Sequence, residues 1–536
     1  LSGGSSQIFQ RQRGSELLCG IKIHKAMKTS LFQLALLLLL LIGVCHSQDK
    51  TTVFDAYYSN TPFAHLNGNL LLAENGRVIY EKSNGFADFV TQIPNTTQSK
   101  YNLASISKII TSTVILQLME KGKLKLEDPI VHFFPEFPYA AITIRHLLSH
   151  TSGLPDLELY EDLVKAYPDT VVTNSIIIPQ LIAQKRPLYF QPGDKWSYCN
   201  TNYELLGLVI EKITKTPLPD YFAKTIFEPA KMQNTYLQVY GKSIEASNRA
   251  VRLHTQPYWY SETYCLLDSV SRYRYTHYNC SGSQGSSNII TTTTDLYLFD
   301  KAFFEGKFLK KSTMELAFTP VRLNDGSVFY EDRMDTMMGE GKGSYGLGWE
   351  LFEQPVYGKS VGHGGFKFGL ATFYFRNLSK NQTIIAFDNT ADRDFGKVVT
   401  SALALMNQQK PLETVTKKSL ARVYGTALKE KGVEYAITKF HELKSDTVHY
   451  YLSEKELNWL GYDFLFRAKF KDHKQLSLET FKLNTLLFPT SFNVYDSFGD
   501  SLLESGKKDE AILMYEKALV LNPKNEESRQ KIKRLK

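Results

Sequence analysis

The stretch ASISKIITSTVILQLMEKG, residues 104–122, places a serine three residues before a lysine and follows the pair with an apolar run at helical spacing. Read for structure alone, Ser105 is a helix N-cap and Lys108 a solvated helix charge. Read for chemistry, a hydroxyl at a helix N-terminus with an amine one turn behind it, inside the protein, is a nucleophile with its base. The spacing by itself decides little, because Ser47, Ser505 and Ser528 also precede a lysine by three residues. Their settings separate them. Ser47 adjoins an N-terminal apolar segment, Ser505 sits at a turn, and Ser528 lies in a charged terminal stretch, whereas Ser105 alone opens an apolar-faced helix. A lysine serves as base only when its pKa falls well below ~10.4, which burial achieves, and a nearby tyrosine is the natural helper.

Two Tyr-x-Asn sequences could supply that tyrosine: Tyr58-Ser59-Asn60 and Tyr198-Cys199-Asn200. The second lies in FQPGDKWSYCNTNYELLGLVIEKIT, where a Pro-Gly turn leads through a short stretch into an apolar helix, a site able to present a phenol and an amide to a cleft. Further on, His363-Gly364-Gly365 lies between strand patterns, and its glycines permit close backbone approach to the strand edge.

Taken in order, Ser105-x-x-Lys108, Tyr198-x-Asn200 and His363-Gly364-Gly365 resemble the three motifs of the penicillin-binding protein and class C β-lactamase-like serine hydrolases. The segments GKLKLEDPI, ITIRHLLSHTSGLPD, TTTTDLYLF and YGLGWELF resemble that family too, over about Asp55 to Gln408. The resemblance implies an α+β fold, an antiparallel sheet flanked by helices with a helical lobe, and an active site between them. It implies Ser105 as the acylated nucleophile, Lys108 and Tyr198 as the proton-transfer pair, and Asn200 as a substrate-amide contact. His363, Gly364 and Gly365 would form the opposite wall, and the backbone N–H groups of Ser105 and Phe366 an oxyanion hole. No cofactor or metal is implied. Two departures bear on substrate: Cys199 stands where serine is frequent, and His363-Gly364 replaces the Lys-Thr of the strand motif, weakening an anchor for a substrate carboxylate. An unperturbed histidine titrates near ~6.5, so any carboxylate preference is expected to grow as pH falls through His363.

The strand patterns agree with that architecture. NGNLLLAENGRVIYEKSNG reads as a hairpin around Asn75-Gly76, and strand patterns return between Tyr345 and Asn389, so one antiparallel sheet takes its edges from distant sequence. After Lys410 the character changes. YGTALKEKG with AITKF matches FGDSLLESG with AILMY, WLGYDFL and ETFKLNTLLFP form a looser copy, and Pro489 precedes Pro523 by 34 residues. These features resemble tetratricopeptide repeats, giving an all-α region over 410–536 that could recruit a protein partner, behind a hydrolase domain over 48–409. A cut near Lys410 is expected to leave the hydrolase folded.

At the N-terminus, MKTSLFQLALLLLLLIGVCHSQ reads as a secretory signal over 27–47, shorter than the ~20 apolar residues a spanning helix needs, and residues 1–26 as an artefact of start-site choice. The expected location is secreted or periplasmic, with no membrane span after signal removal. Cleavage would release the chain, unless Cys45 carries a lipid. Of the remaining cysteines, Cys265 and Cys280 could close a short loop and leave Cys199 free. His146 and His150 lack the glutamate of a His-Glu-x-x-His zinc motif and read as structural. With 536 residues, 43% hydrophobic and 22% charged, the chain is of ordinary globular composition. Its net charge of +8 is spread along the sequence, which argues against nucleic acid. The function expected is an exported serine hydrolase acting on a small-molecule or peptide ester or amide, D-amino-acid peptides included. The alternative is a protein that captures penicillin or cell-wall peptide with little turnover, its repeats recruiting a partner.

Overall fold

The computed structural model describes residues 51–58, 66–243, 245, 249–261, 263–330, 342–391, 395–412, 417–468 and 470–536. The expectations for residues 1–47, Cys45 included, lie outside these.

The sheet has seven strands: β1 (Gly68–Glu74), β2 (Arg77–Ser83), β3 (Lys342–Tyr345), β4 (Glu350–Gln354), β5 (Gly358–Lys367), β6 (Leu370–Asn377) and β7 (Gln382–Asp388). Their order is β3-β4-β5-β6-β7-β1-β2, and every pairing is antiparallel. The first strands thus join the last, Gly68 opposite Asp388 and Glu74 opposite Gln382. The Asn75-Gly76 turn forms as expected, both residues at positive φ (52° and 78°), the geometry of a tight two-residue hairpin.

Both faces of the sheet are covered, which is why β1, β6 and β7 read as continuous apolar runs. Leu71, Ala73, Ile385 and Phe387 point into one core; their neighbours Leu70, Leu72, Ile384 and Ala386 point into the other. The second core is closed by the helix Phe395–Met406. The first surrounds α1 (Ser107–Glu120), whose residues Ser107 to Leu118 are all buried. An apolar stripe was expected there; the helix is enclosed on every side. Three of its hydroxyls find carbonyl partners, Thr113 within the helix at Ile109 O, and Thr111 and Ser112 on distant segments at Gly285 O and Leu347 O.

Beyond residue 417 the chain is helical, with three consecutive pairs: α2 (Leu420–Lys431) with α3 (Val433–Leu443), α4 (Glu454–Tyr462) with α5 (His473–Leu487), and α6 (Phe492–Glu504) with α7 (Lys508–Leu521). A polar helix, Glu526–Leu535, ends it. Glycines let these helices approach closely. A Cβ on Gly461 would lie 2.6 Å from the Phe481 ring, and one on Gly499 would lie 2.5 Å from Tyr515. That gives Gly461 and Gly499 a packing reason, whereas a Cβ on Gly425, the matched glycine of the first copy, would meet Leu460 at 2.6 Å. The helical region is not packed only against itself. Tyr258, Trp259 and Tyr260, from a loop of the preceding domain, join the core of Leu420, Tyr424, Leu460 and Phe464, with Tyr260 only 5% exposed. A cut near Lys410 therefore uncovers three aromatic side chains.

Cys265 and Cys280 are not paired. Cys265 donates to Thr255 O from a short strand, Cys280 is buried in a 3-10 turn, and both thiols are free, as is Cys199.

Candidate active site

Ser105 sits in a 3-10 turn, Ala104–Ile106, that runs directly into α1. Ala104 holds φ at 46°, the left-handed region a residue with a Cβ seldom enters, so the turn is strained and must be held. Several bonds hold it. Ala104 N donates to Asn102 Oδ1 (2.8 Å), Asn102 Nδ2 to Asn288 Oδ1 (2.9 Å), and Lys367 Nζ to the same oxygen (2.7 Å). On the other side Thr372 Oγ1 donates to Leu103 O (2.9 Å), tying the turn to β6.

One helical turn on, Lys108 lies 3.1 Å from Ser105 Oγ and is fully buried. Its Nζ also donates to Asn200 Oδ1 (2.8 Å) and Ser286 O (3.0 Å) and lies 4.8 Å above the Tyr198 ring. Burial pulls its pKa down to about 7, against the opposing charges of Asp156 and Glu204. Asn200 begins the helix Asn200–Thr214, and Asp156 orients it by accepting from both its backbone N (2.8 Å) and its Nδ2 (3.0 Å), which turns Oδ1 toward the lysine. Tyr198 Oη is buried and has no partner in bonding geometry. Burial raises the phenol's pKa well above its usual value, and the Ser105 hydroxyl beside it opposes that rise.

The opposite wall is β5. Its pairing with β4 stops at Gly362 opposite Glu350, so the edge from His363 to Lys367 is open on that side. Gly364 N donates to Glu350 Oε2 across this edge (3.1 Å). Because alternate residues of a strand direct their N–H groups to the same side, the N–H of Phe366 faces the same open edge. Gly365 lies against the nucleophile turn, where a Cβ would come within 2.4 Å of Leu103 O.

His363 is 1% exposed; its Nε2 bonds Tyr345 Oη (2.9 Å) and its Nδ1 lies 2.6 Å from Gly364 O. Burial, reinforced by the Lys108 charge, pushes its pKa down to about 3. The expected His363 titration near neutrality is therefore overturned: the ring is neutral there and supplies no cation. Of the other histidines, His146 completes the capping of a short helix with Thr143, and His150 Nδ1 accepts from Cys199 N while its ring packs 4.3 Å from Tyr198.

Ser105, Tyr198, Asn200, His363, Gly364, Gly365 and Phe366 all line one cleft of about 870 Å³. The sequence-predicted residues are thus brought together, with Lys108 behind Ser105. Tyr58, of the first Tyr-x-Asn, lies in the core on the far face of the sheet. Sequence reasoning missed Asp156, Glu204, Tyr345 and Lys367. Burial moves Glu204 up to about 7 and Lys367 down to about 8, and both line a smaller cavity of about 210 Å³ that also reaches Ser105. Asp156 and Tyr345 stood inside segments that carried the family resemblance, and that was their only signal.

A helix-flanked antiparallel sheet with a serine, a buried lysine and a tyrosine converging at its edge defines the class of the β-lactamases and penicillin-binding proteins. The beta-lactamase family model matches residues 63–417, and the chain belongs to that family. It is 35% identical over 342 residues to penicillin-binding protein 4* of Bacillus subtilis, covering 63% of this chain and 71% of that protein. Among solved structures, a penicillin binding protein from Bacillus halodurans superposes with a TM-score of 0.52 at 23% identity, over 64% of this chain and 96% of that one. The D-amino acid amidase of Ochrobactrum anthropi SV3, complexed with L-phenylalanine, gives 0.52 at 20% identity, over 67% and 96%. These two likenesses concern the fold. Among the described residues no helix is long and apolar enough to cross a membrane.

Proposed function

We propose that the protein is an exported serine hydrolase that cleaves an ester or amide, D-amino-acid peptides included, through an acyl-enzyme on Ser105. The observation that carries this reading is Lys108, 3.1 Å from the serine hydroxyl with a pKa of about 7, so that near neutrality a large fraction is the free amine a general base requires. Lys108 takes the Ser105 proton as Oγ attacks the carbonyl carbon. Tyr198, its hydroxyl unpartnered beside Ser105, relays that proton onward, giving its own to the leaving group as it takes the one held by Lys108, so that both side chains end neutral. The developing oxyanion lies between the N–H groups of Ser105 and Phe366, the latter on the open edge of β5. Asn200, His363, Gly364 and Gly365 border the substrate, and water then releases the acyl group by the reverse proton path.

The Bacillus subtilis relative is named a penicillin-binding protein, which supports a substrate of the β-lactam kind. In the helical region, the tetratricopeptide-type spacing supports a surface for a protein partner. A serine-directed fluorophosphonate tests the central claim: it labels the protein once and Ser105→Ala abolishes the label. Full labelling of that variant, or an adduct on Ser505 or Ser528, would overturn the assignment.

A further inference from the structure

The wide cleft at Ser105 is not built by the hydrolase domain alone. Arg467, from the π-helical turn Asp463–Arg467 that follows α4, lines it together with Ser105 and β5. The same arginine lines a second cavity of about 280 Å³ between the two regions, which shares Thr255, Tyr273, Thr390 and Ala391 with the cleft. Arg467 therefore stands where the cleft meets the interdomain cavity.

Its setting suits an anion. The guanidinium shares one nitrogen, Nη1, with Asp463, which is itself fully buried and also accepts from Trp259 N, so the arginine is anchored from behind. Its side chain remains 48% exposed, which leaves further donors toward the cavity. Arg422, 4.2 Å over the Trp259 ring, and Arg272, 4.5 Å over Tyr273, line the interdomain cavity beside it, against the single carboxylate of Asp463 among the described lining residues. Single π-helical turns are frequent at functional sites. The strand motif, by contrast, offers no fixed charge, since His363 is neutral.

We propose that the C-terminal helical region forms one wall of the substrate cleft and that Arg467 is a specificity-determining residue, taking a carboxylate of the substrate where the cleft meets the interdomain cavity. The free edge of the guanidinium offers the paired donors that a carboxylate takes. The proposal rests on the hydrolase reading for the position of the scissile bond, and makes the substrate an ester or amide with an acid group remote from that bond.

The test compares mono-4-nitrophenyl adipate with its methyl ester, an anionic and a neutral form of one molecule. Arg467→Gln is expected to lower kcat/KM for the anionic ester about ten- to a hundredfold, the range of a lost charge-assisted hydrogen bond, and to change the neutral ester less than about twofold. Arg467→Lys should restore part of the difference. Equal losses on both esters, or no loss on the anionic one, would overturn the proposal. If Arg467→Gln does not fold, the double variant Asp463→Asn/Arg467→Gln leaves no lone buried charge and carries the same measurement. Calorimetric titration of adipate monomethyl ester into Ser105→Ala, with and without Arg467→Gln, separates this proposal from the hydrolase reading. Binding at least about tenfold weaker without the arginine upholds it even if neither ester is hydrolysed, and equal binding rejects it.

Discussion

Gly364 and Gly365 are adjacent in sequence and opposite in consequence, which makes them a matched test of the oxyanion assignment. An alanine Cβ at 365 would lie 2.2 Å from Thr372 Oγ1, 2.4 Å from Leu103 O and 3.2 Å from Ala104 Cβ, so β5 and the nucleophile turn must separate. Restoring ordinary contact takes roughly 1 Å, a displacement that can by itself cost about a hundredfold in rate. It would carry Phe366 N–H away from the position of the oxyanion, and losing one such donor costs about 10²–10³ in kcat, or roughly 3–4 kcal/mol. At 364 the same Cβ meets nothing closer than Phe373 Cδ2 at 3.8 Å and Glu350 Oε1 at 3.9 Å, so Gly364→Ala should stay within about threefold of the parent. The assay is kcat for 4-nitrophenyl acetate, with thermal melting to show that both variants fold. A folded Gly365→Ala as active as Gly364→Ala would refute the placement of the oxyanion beside Phe366.

The pH profile offers a second test: since only neutral Lys108 can take the Ser105 proton and its pKa is about 7, kcat/KM should rise through a midpoint near pH 7. A rate flat from pH 5.5 to 8.5 would remove Lys108 as the base. Lys108→Ala should lose most turnover without loss of fold, as read by circular dichroism. For stability, Arg376→Ala removes the cation that reaches the fully buried Asp300 at 2.9 Å, leaving only the Tyr374 and Thr383 hydroxyls on its carboxylate, and should destabilise the protein by about 3–5 kcal/mol in urea unfolding. Truncation after residue 410 should expose Tyr258, Trp259 and Tyr260, lowering the melting temperature and raising dye binding; a truncated form that melts unchanged would show that this packing contributes little.

Short spacing proposed Ser105 with Lys108, Tyr198 with Asn200, and His363 with its glycines, and their settings and order, through the family resemblance, singled them out from the other Ser-x-x-Lys and Tyr-x-Asn pairs. What was not legible depends on burial and on loops that meet only in space. Asp156 orients Asn200 from a loop far upstream, and Lys367 reaches Asn288 from the end of β5. His363 was expected to titrate near neutrality because its enclosure by Tyr345 and its own strand is a tertiary fact. The Cys265–Cys280 spacing allowed a bridge that the fold does not make, since one thiol turns to Thr255 O while the other is buried beside the smaller cavity. α1 read as one-faced because its serines and threonines look solvent-directed until Gly285 and Leu347 supply their carbonyl partners.

The pairing of β1 with β7 also fixes when the protein can begin to act. Gly68 finds its partner only at Asp388, so a ribosome must emit nearly the whole sheet before its central strands can close. Until then the Ser105 turn has no β6 threonine to hold Leu103 O and no open strand edge to face. Ser105 and Lys108 therefore stand without a working centre until β7 is in place.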